Sequence, residues 1–190
     1  LAFAGGITAT APSAVTVNGT VSAAGTGVIT LGDSGTAVSV TGDSTVGGTS
    51  TGQITFGAIT ISDGKTLTVG GGASTPISLT TVSGVASGTA SNFTINTLGA
   101  VTISGAVGTD IGTLTVTNSG GVTFSGAVNA TTVTLTNTTG TIAFNGALTA
   151  TTLNTAAQAY NVGLNATTGT ITNAVTFSNT GTLALGASGG

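Results

Sequence analysis

Five side chains in this 190-residue chain carry charge: Asp33, Asp43, Asp63, Asp110 and Lys65. They bound the chemistry the protein can do. Hydrolysis of a glycosidic bond, or any other general acid–base reaction, needs two carboxylates at one site or a base beside a metal. The four Asp are scattered, and there is no Glu, His, Arg or Cys to pair with any of them. No nucleophile–base pair can be drawn, so no catalytic residue is expected and the chain reads as a non-enzyme. Three of the Asp stand in turn-forming tripeptides, Gly32-Asp33-Ser34, Gly42-Asp43-Ser44 and Asp63-Gly64-Lys65, where a short acceptor side chain can hydrogen-bond its own backbone. The run Gly70-Gly71-Gly72 has no Asp in the phase that a calcium-binding nonapeptide roll requires. No metal and no cofactor is expected.

The rest of the composition is as unusual. Charged residues make up 3% of the chain, against roughly 25% in ordinary soluble domains. There are 45 Thr, 17 Ser and 33 Gly, and hydrophobic residues reach 39%. Disorder follows from low hydrophobicity and high net charge, and this chain has neither. It must bury its apolar residues, and it must stay wetted through hydroxyls and amides. A single Lys cannot neutralise a phosphate backbone, so nucleic acid is not an expected partner. No apolar run approaches the roughly eighteen residues of a membrane helix, so no membrane span is expected. No basic segment followed by an apolar one marks a signal peptide.

What positions these residues is a repeat. VTISGAV at 101–107, VTFSGAV at 122–128 and IAFNGAL at 142–148 share an apolar–x–apolar start and a Gly four residues on. The phase continues at Val162 and Leu183. LAFAGGITAT at 1–10 matches IAFNGALTAT at 142–151, which makes Leu1 a start as well, with Val21, Val38, Ile59 and Ile77 filling the gap. A second apolar–x–apolar step falls inside each unit: Val15/Val17, Ile29/Leu31, Ile54/Phe56, Leu67/Val69, Phe93/Ile95, Leu114/Val116, Val133/Leu135, Leu153/Thr155 and Val175/Phe177. Alternation over short runs is the signature of a strand with one buried face, and β-branched Thr and Val suit it. One such unit cannot bury its own apolar side, whereas stacked units can.

The spacing therefore predicts an all-β fold: a parallel β-helix, or β-solenoid, of about nine coils with about 20 residues per coil, formed by residues 1–190 as a single domain. Like residues should fall on like. Ile103, Phe124, Phe144, Leu164 and Leu185 are expected to form one core ladder. Thr113, Thr115 and Thr117, followed on the next coil by Thr132, Thr134 and Thr136, are expected to face outward as a Thr array. Asn118, Asn137 and Asn179 are expected to stack as an Asn ladder, with Ala157 interrupting. The core register places Val122 and Phe124 inside, with Thr123 and Ser125 outside.

The VTFSGAV, TTVTLTN and ISDGKTLTV stretches resemble the β-helix repeats of large secreted bacterial adhesins, of the filamentous-haemagglutinin and autotransporter-passenger type. The resemblance implies a right-handed parallel β-helix, an extracellular or bacterial cell-surface location, and an adhesive or scaffolding role. The expected function is that of a structural protein: an adhesin stalk, sheath or filament subunit. Its expected partners are further copies of itself or the continuation of a longer chain, and a surface glycan or cell receptor. The outward Thr rows also resemble the faces of ice-binding β-solenoids, which gives a first alternative. A carbohydrate-active β-helix is the second. Leu1-Ala2-Phe3 and Leu183-Ala184-Leu185 read as strands of incomplete coils, so the stack is expected to continue at both ends, and Gly186-Ala187-Ser188-Gly189-Gly190 to serve as a flexible joint.

Overall fold

The computed structural model describes residues 1–186, so the Gly-rich joint lies almost wholly outside the described residues. Among these residues are 21 strands and no helix. Every strand pairing is parallel. Each strand pairs with its counterpart one coil away, so the backbone hydrogen bonds run along the stack and the coils form a β-solenoid of about nine turns.

Each complete coil has three faces. The first is the nine-stranded sheet of Gly6–Ala9, Val28–Leu31, Ile54–Phe56, Ile77–Leu79, Val101–Ile103, Val122–Phe124, Thr141–Phe144, Asn161–Leu164 and Leu183–Leu185. The second includes Ile59–Ile61, Val82–Gly84 and Val107–Gly108; the third includes Thr66–Gly70, Ser91–Asn96 and Ile111–Asn118. The long strands Ala14–Ala23, Ala37–Gly48, Val128–Leu135 and Leu148–Thr155 turn the corner between these two and join them in one sheet.

On the first face Ile7, Ile29, Ile54, Ile77, Val101, Val122, Ile142, Val162 and Leu183 stand in register, spaced unevenly at first and almost evenly from Val101 onward. The expected starts from Ile77 onward are these. The earlier ones are not. Leu1 leads into Ala2–Phe3, which pairs with Ser22 and Ala23 on the third face. Val21 lies on that face too, beside Val46, and Val38 and Ile59 belong to the second. All three faces carry the same apolar–x–apolar pattern, so where corner lengths vary the pattern does not say which face a strand joins. For the same reason a coil has three strands where two were expected.

The core follows the alternation. Val122 and Phe124 are buried, Thr123 is half-buried and Ser125 exposed, because a one-residue slip would turn every apolar side chain out. Ile103, Phe124 and Phe144 stack as expected and are fully buried. The Phe124 and Phe144 rings lie 4.7 Å apart and within 6° of parallel. The ladder fails at its end: Leu164 is half-buried and Leu185, although in register with it, is 67% exposed. No described strand lies beyond Leu185 to cover it. Val175 and Phe177 are half-buried but belong to no strand.

The repeated Gly has a packing cause. A Cβ on Gly126 would collide with the Gly105 carbonyl group, and one on Gly146 with that of Gly126. At this corner the coils approach backbone to backbone, and only Gly permits it.

Candidate functional site

The charged residues stand at corners, where turns need local acceptors. Asp33 Oδ1 accepts hydrogen bonds from the N–H groups of Gly35 and Thr36, both at 2.8 Å. Asp43 Oδ1 accepts from the N–H of Thr66 on the next coil, at 2.9 Å. Asp63 is exposed, next to Gly64 with φ of 65°. Asp110 lies in the left-handed region, φ 56°, directly after Thr109 at 52°. Among the described residues no three Asp, Glu, His or Cys side chains come together.

The Thr array is longer than its residue types suggested. Thr113 and Thr115 lie in register with Thr132 and Thr134, all four half-buried, and Thr117 and Thr136 are exposed past them. The register also runs the other way. Thr20, Thr45, Thr68, Thr94, Thr115 and Thr134 form one unbroken row across six coils, ending at Asn154. A second rank, Thr66, Asn92, Thr113, Thr132 and Thr152, runs beside it. The other faces differ. Their three-residue strands turn one side chain outward each, such as Thr55 or Thr102, so each builds a single rank. Among the described residues, only the longer strands of the third face make a two-dimensional hydroxyl surface.

The Asn residues of the expected ladder are dispersed in environment. Asn118 is half-buried and in register with Asn96, and Asn137 is exposed. Asn179 Nδ2 donates to the Tyr160 carbonyl at 3.0 Å. The amide-to-amide bond that forms is elsewhere, from Asn165 Nδ2 to Asn145 Oδ1 at 2.8 Å.

Inside the corner that leads into the first face lies a column that sequence reasoning missed: Ser50, Thr75, Thr97, Ser119 and Thr138, each at most 2% exposed. Buried hydroxyls are tolerated only when bonded, and these are. Ser50 donates to the Gly27 carbonyl and Thr75 to the Gly52 carbonyl. Thr97 donates to the Ala73 carbonyl at 2.6 Å and Thr138 to the Ser119 carbonyl at 2.9 Å. Four of the five also accept from the N–H two residues on, at Gly52, Gly99, Gly121 and Gly140. The signal in the sequence is Ser/Thr-x-Gly just before a first-face strand. It is hidden because that tripeptide occurs in turns throughout this composition.

One coil further on, Tyr160 fills the same interior. Its hydroxyl donates to the Leu135 carbonyl at 2.9 Å and accepts from the Ala156 N–H at 3.1 Å. Burial pushes its phenol above the ordinary value, and the Ala156 N–H opposes that rise.

No protein-family model, no curated protein and no solved structure matches this chain.

Proposed function

We propose that the protein is a structural repeat protein of the bacterial cell surface or exterior: a rod that serves as an adhesin stalk, sheath or filament subunit. The observation that carries this reading is the uninterrupted parallel register of nine first-face strands over a core buried coil by coil. Such a stack gains length and stability by adding near-identical units, each contacting only its neighbours. Its corners hold buried hydroxyls that serve the backbone, and Asp33 and Asp43 accept backbone N–H groups at corners, so these polar groups have architectural work. The reading includes no catalysis. Negative-stain images of the native assembly, with antibody labelling and protease shaving of intact cells, test it. A surface-exposed rod supports the proposal; a compact intracellular particle contradicts it.

The two-rank Thr surface favours a second reading, binding of ice. Adjacent coils repeat at about 4.8 Å and alternate residues along a strand at about 6.7 Å. Tetrahedral water with O···O near 2.75 Å has oxygens repeating at about 4.5 Å and about 7.3 Å. The mismatch is about 0.3 Å per coil step and about 0.6 Å along the strand. Thermal hysteresis that is abolished by Thr94→Lys and Thr115→Lys supports this reading, and its absence from the unmodified protein removes it.

A further inference from the structure

We infer that Asn18 is a site of spontaneous deamidation, at which the nitrogen of the following glycine displaces the side-chain amide. The chain has two Asn-Gly steps, Asn18-Gly19 and Asn145-Gly146. Asparagine is a thermolabile residue, and glycine, lacking a Cβ, leaves the attacking nitrogen least hindered and its peptide freest to turn. Sequence alone ranks the two steps equally. The fold does not.

Asn18 is the whole of a corner. Val17 pairs with Val40 and Gly19 with Ser44, so one residue turns the chain from the second face to the third where the next coil uses Thr41, Gly42 and Asp43. Asn18 is exposed, and its side chain reaches under Gly42, where an added Cβ would meet the amide oxygen. Gly19 stands at φ 86°, and a Cβ there would meet nothing within 4 Å, so the peptide that must rotate has open space on that side. The Gly19 N–H donates to Ser44 Oγ at 3.1 Å, and Ser44 Oγ donates to the Gly42 carbonyl at 2.8 Å. An acceptor thus stands where the nitrogen must shed its hydrogen.

Asn145-Gly146 is held on both sides. Asn145 Oδ1 accepts from Asn165 Nδ2 at 2.8 Å, and the Asn145 N–H donates to the Phe124 carbonyl at 2.8 Å. The Gly146 backbone lies so close to that of Gly126 that a Cβ has no room. Turning this peptide breaks those bonds and opens a contact between coils.

At the first step the Gly19 nitrogen bonds to Asn18 Cγ. Its hydrogen passes to the Asn18 amide nitrogen by way of Ser44 Oγ or solvent, and the Cγ–Nδ2 bond breaks with loss of ammonia. Water then opens the cyclic imide at either carbonyl, which leaves aspartate or isoaspartate. Either product adds a negative charge under the corner that carries Asp43, in a chain of net charge −3. Isoaspartate also lengthens the backbone at a corner that has one residue.

The test incubates the full chain in warm, mildly alkaline buffer, folded and in parallel in urea. Mass spectrometry locates the amide-to-acid conversion, and isoaspartyl methyltransferase labelling detects isoaspartate. In the folded chain Asn18 should convert several-fold faster than Asn145, and in urea the two should convert at comparable rates. Ser44→Ala should slow Asn18 in the folded chain and leave its rate in urea unchanged. Comparable rates at the two steps in the folded chain, or an Asn18 that converts in urea and not when folded, would overturn the proposal; an undiminished folded rate in Ser44→Ala would overturn the part assigned to Ser44. None of these outcomes bears on whether the protein is a surface rod, which imaging decides.

Discussion

The two halves of the solenoid solve one problem with different freedom. Four coil-to-coil steps carry the first-face register from Ile7 to Val101, and four shorter, nearly equal steps carry it from Val101 to Leu183. Yet the buried positions are equally closed: Ile29, Ile54 and Phe56 in the first half are as inaccessible as Val122, Ile142 and Phe144 in the second. The variation is confined to corners. Registry is set by faces that must bury apolar side chains, and corner length is tolerated because lengthening a surface loop costs little free energy.

The largest expected effects come from the core and should not distinguish the halves. Phe124→Ala and Phe56→Ala each remove a ring at most 2% exposed, and each should cost about 3–5 kcal/mol in urea unfolding. A much smaller loss at Phe56 would mean that the irregular half is loosely packed. Next in size is a pair of variants that should separate a close coil-to-coil approach, which both halves contain at such glycines as Gly52 and Gly126, from an open corner. Gly126→Val forces a side chain into the Gly105 backbone and should cost about 1–3 kcal/mol or more, whereas valine at Gly35, where an added Cβ meets only the Asp33 side chain at 3.6 Å, should cost less. Of similar size is the hydroxyl column. Thr97→Val and Thr138→Val leave the Gly99 and Gly140 N–H groups without their acceptors, and each should cost about 1–3 kcal/mol.

The smallest effect is a dependence on alkaline pH. The Tyr160 phenol is raised in the folded protein, so on raising pH the unfolded chain loses this proton first, near its ordinary value of about 10. The unfolded state then binds fewer protons, and stability falls as pH rises from there through the higher folded value. Below about 10 the contribution is complete. Tyr160→Phe should flatten this part of a stability–pH curve; an unchanged slope would assign it to another group.

The regular half was legible in the sequence because its corners are nearly equal in length, so VTISGAV, VTFSGAV and IAFNGAL fall at the spacing of their coils. The other half was misread at Leu1, Val21, Val38 and Ile59 because strands of different faces share one pattern, and only pairing partners tell them apart. The third strand of each coil was hidden where Val128-Asn129-Ala130 runs straight into Thr132-Val133 around a corner inside one strand. The Thr rows were legible on two coils. Their continuation through Thr94, Thr68, Thr45 and Thr20 is spaced differently at every step, and no fixed period supplies it.

Cross-linking tests the common register of the two halves most directly, because the chain contains no Cys. Thr115 and Thr134 are in-register partners on adjacent coils of the regular half, and Thr45 and Thr68 are such partners in the irregular half. Partners on adjacent strands lie about 4.8 Å apart, within the range a disulfide can bridge. Oxidation of Thr115→Cys/Thr134→Cys and, separately, of Thr45→Cys/Thr68→Cys should yield intramolecular disulfides in both proteins, while Thr45→Cys/Thr134→Cys should yield none. Closure of the first pair without the second would contradict the register of the irregular half, and closure of neither would contradict the parallel solenoid itself.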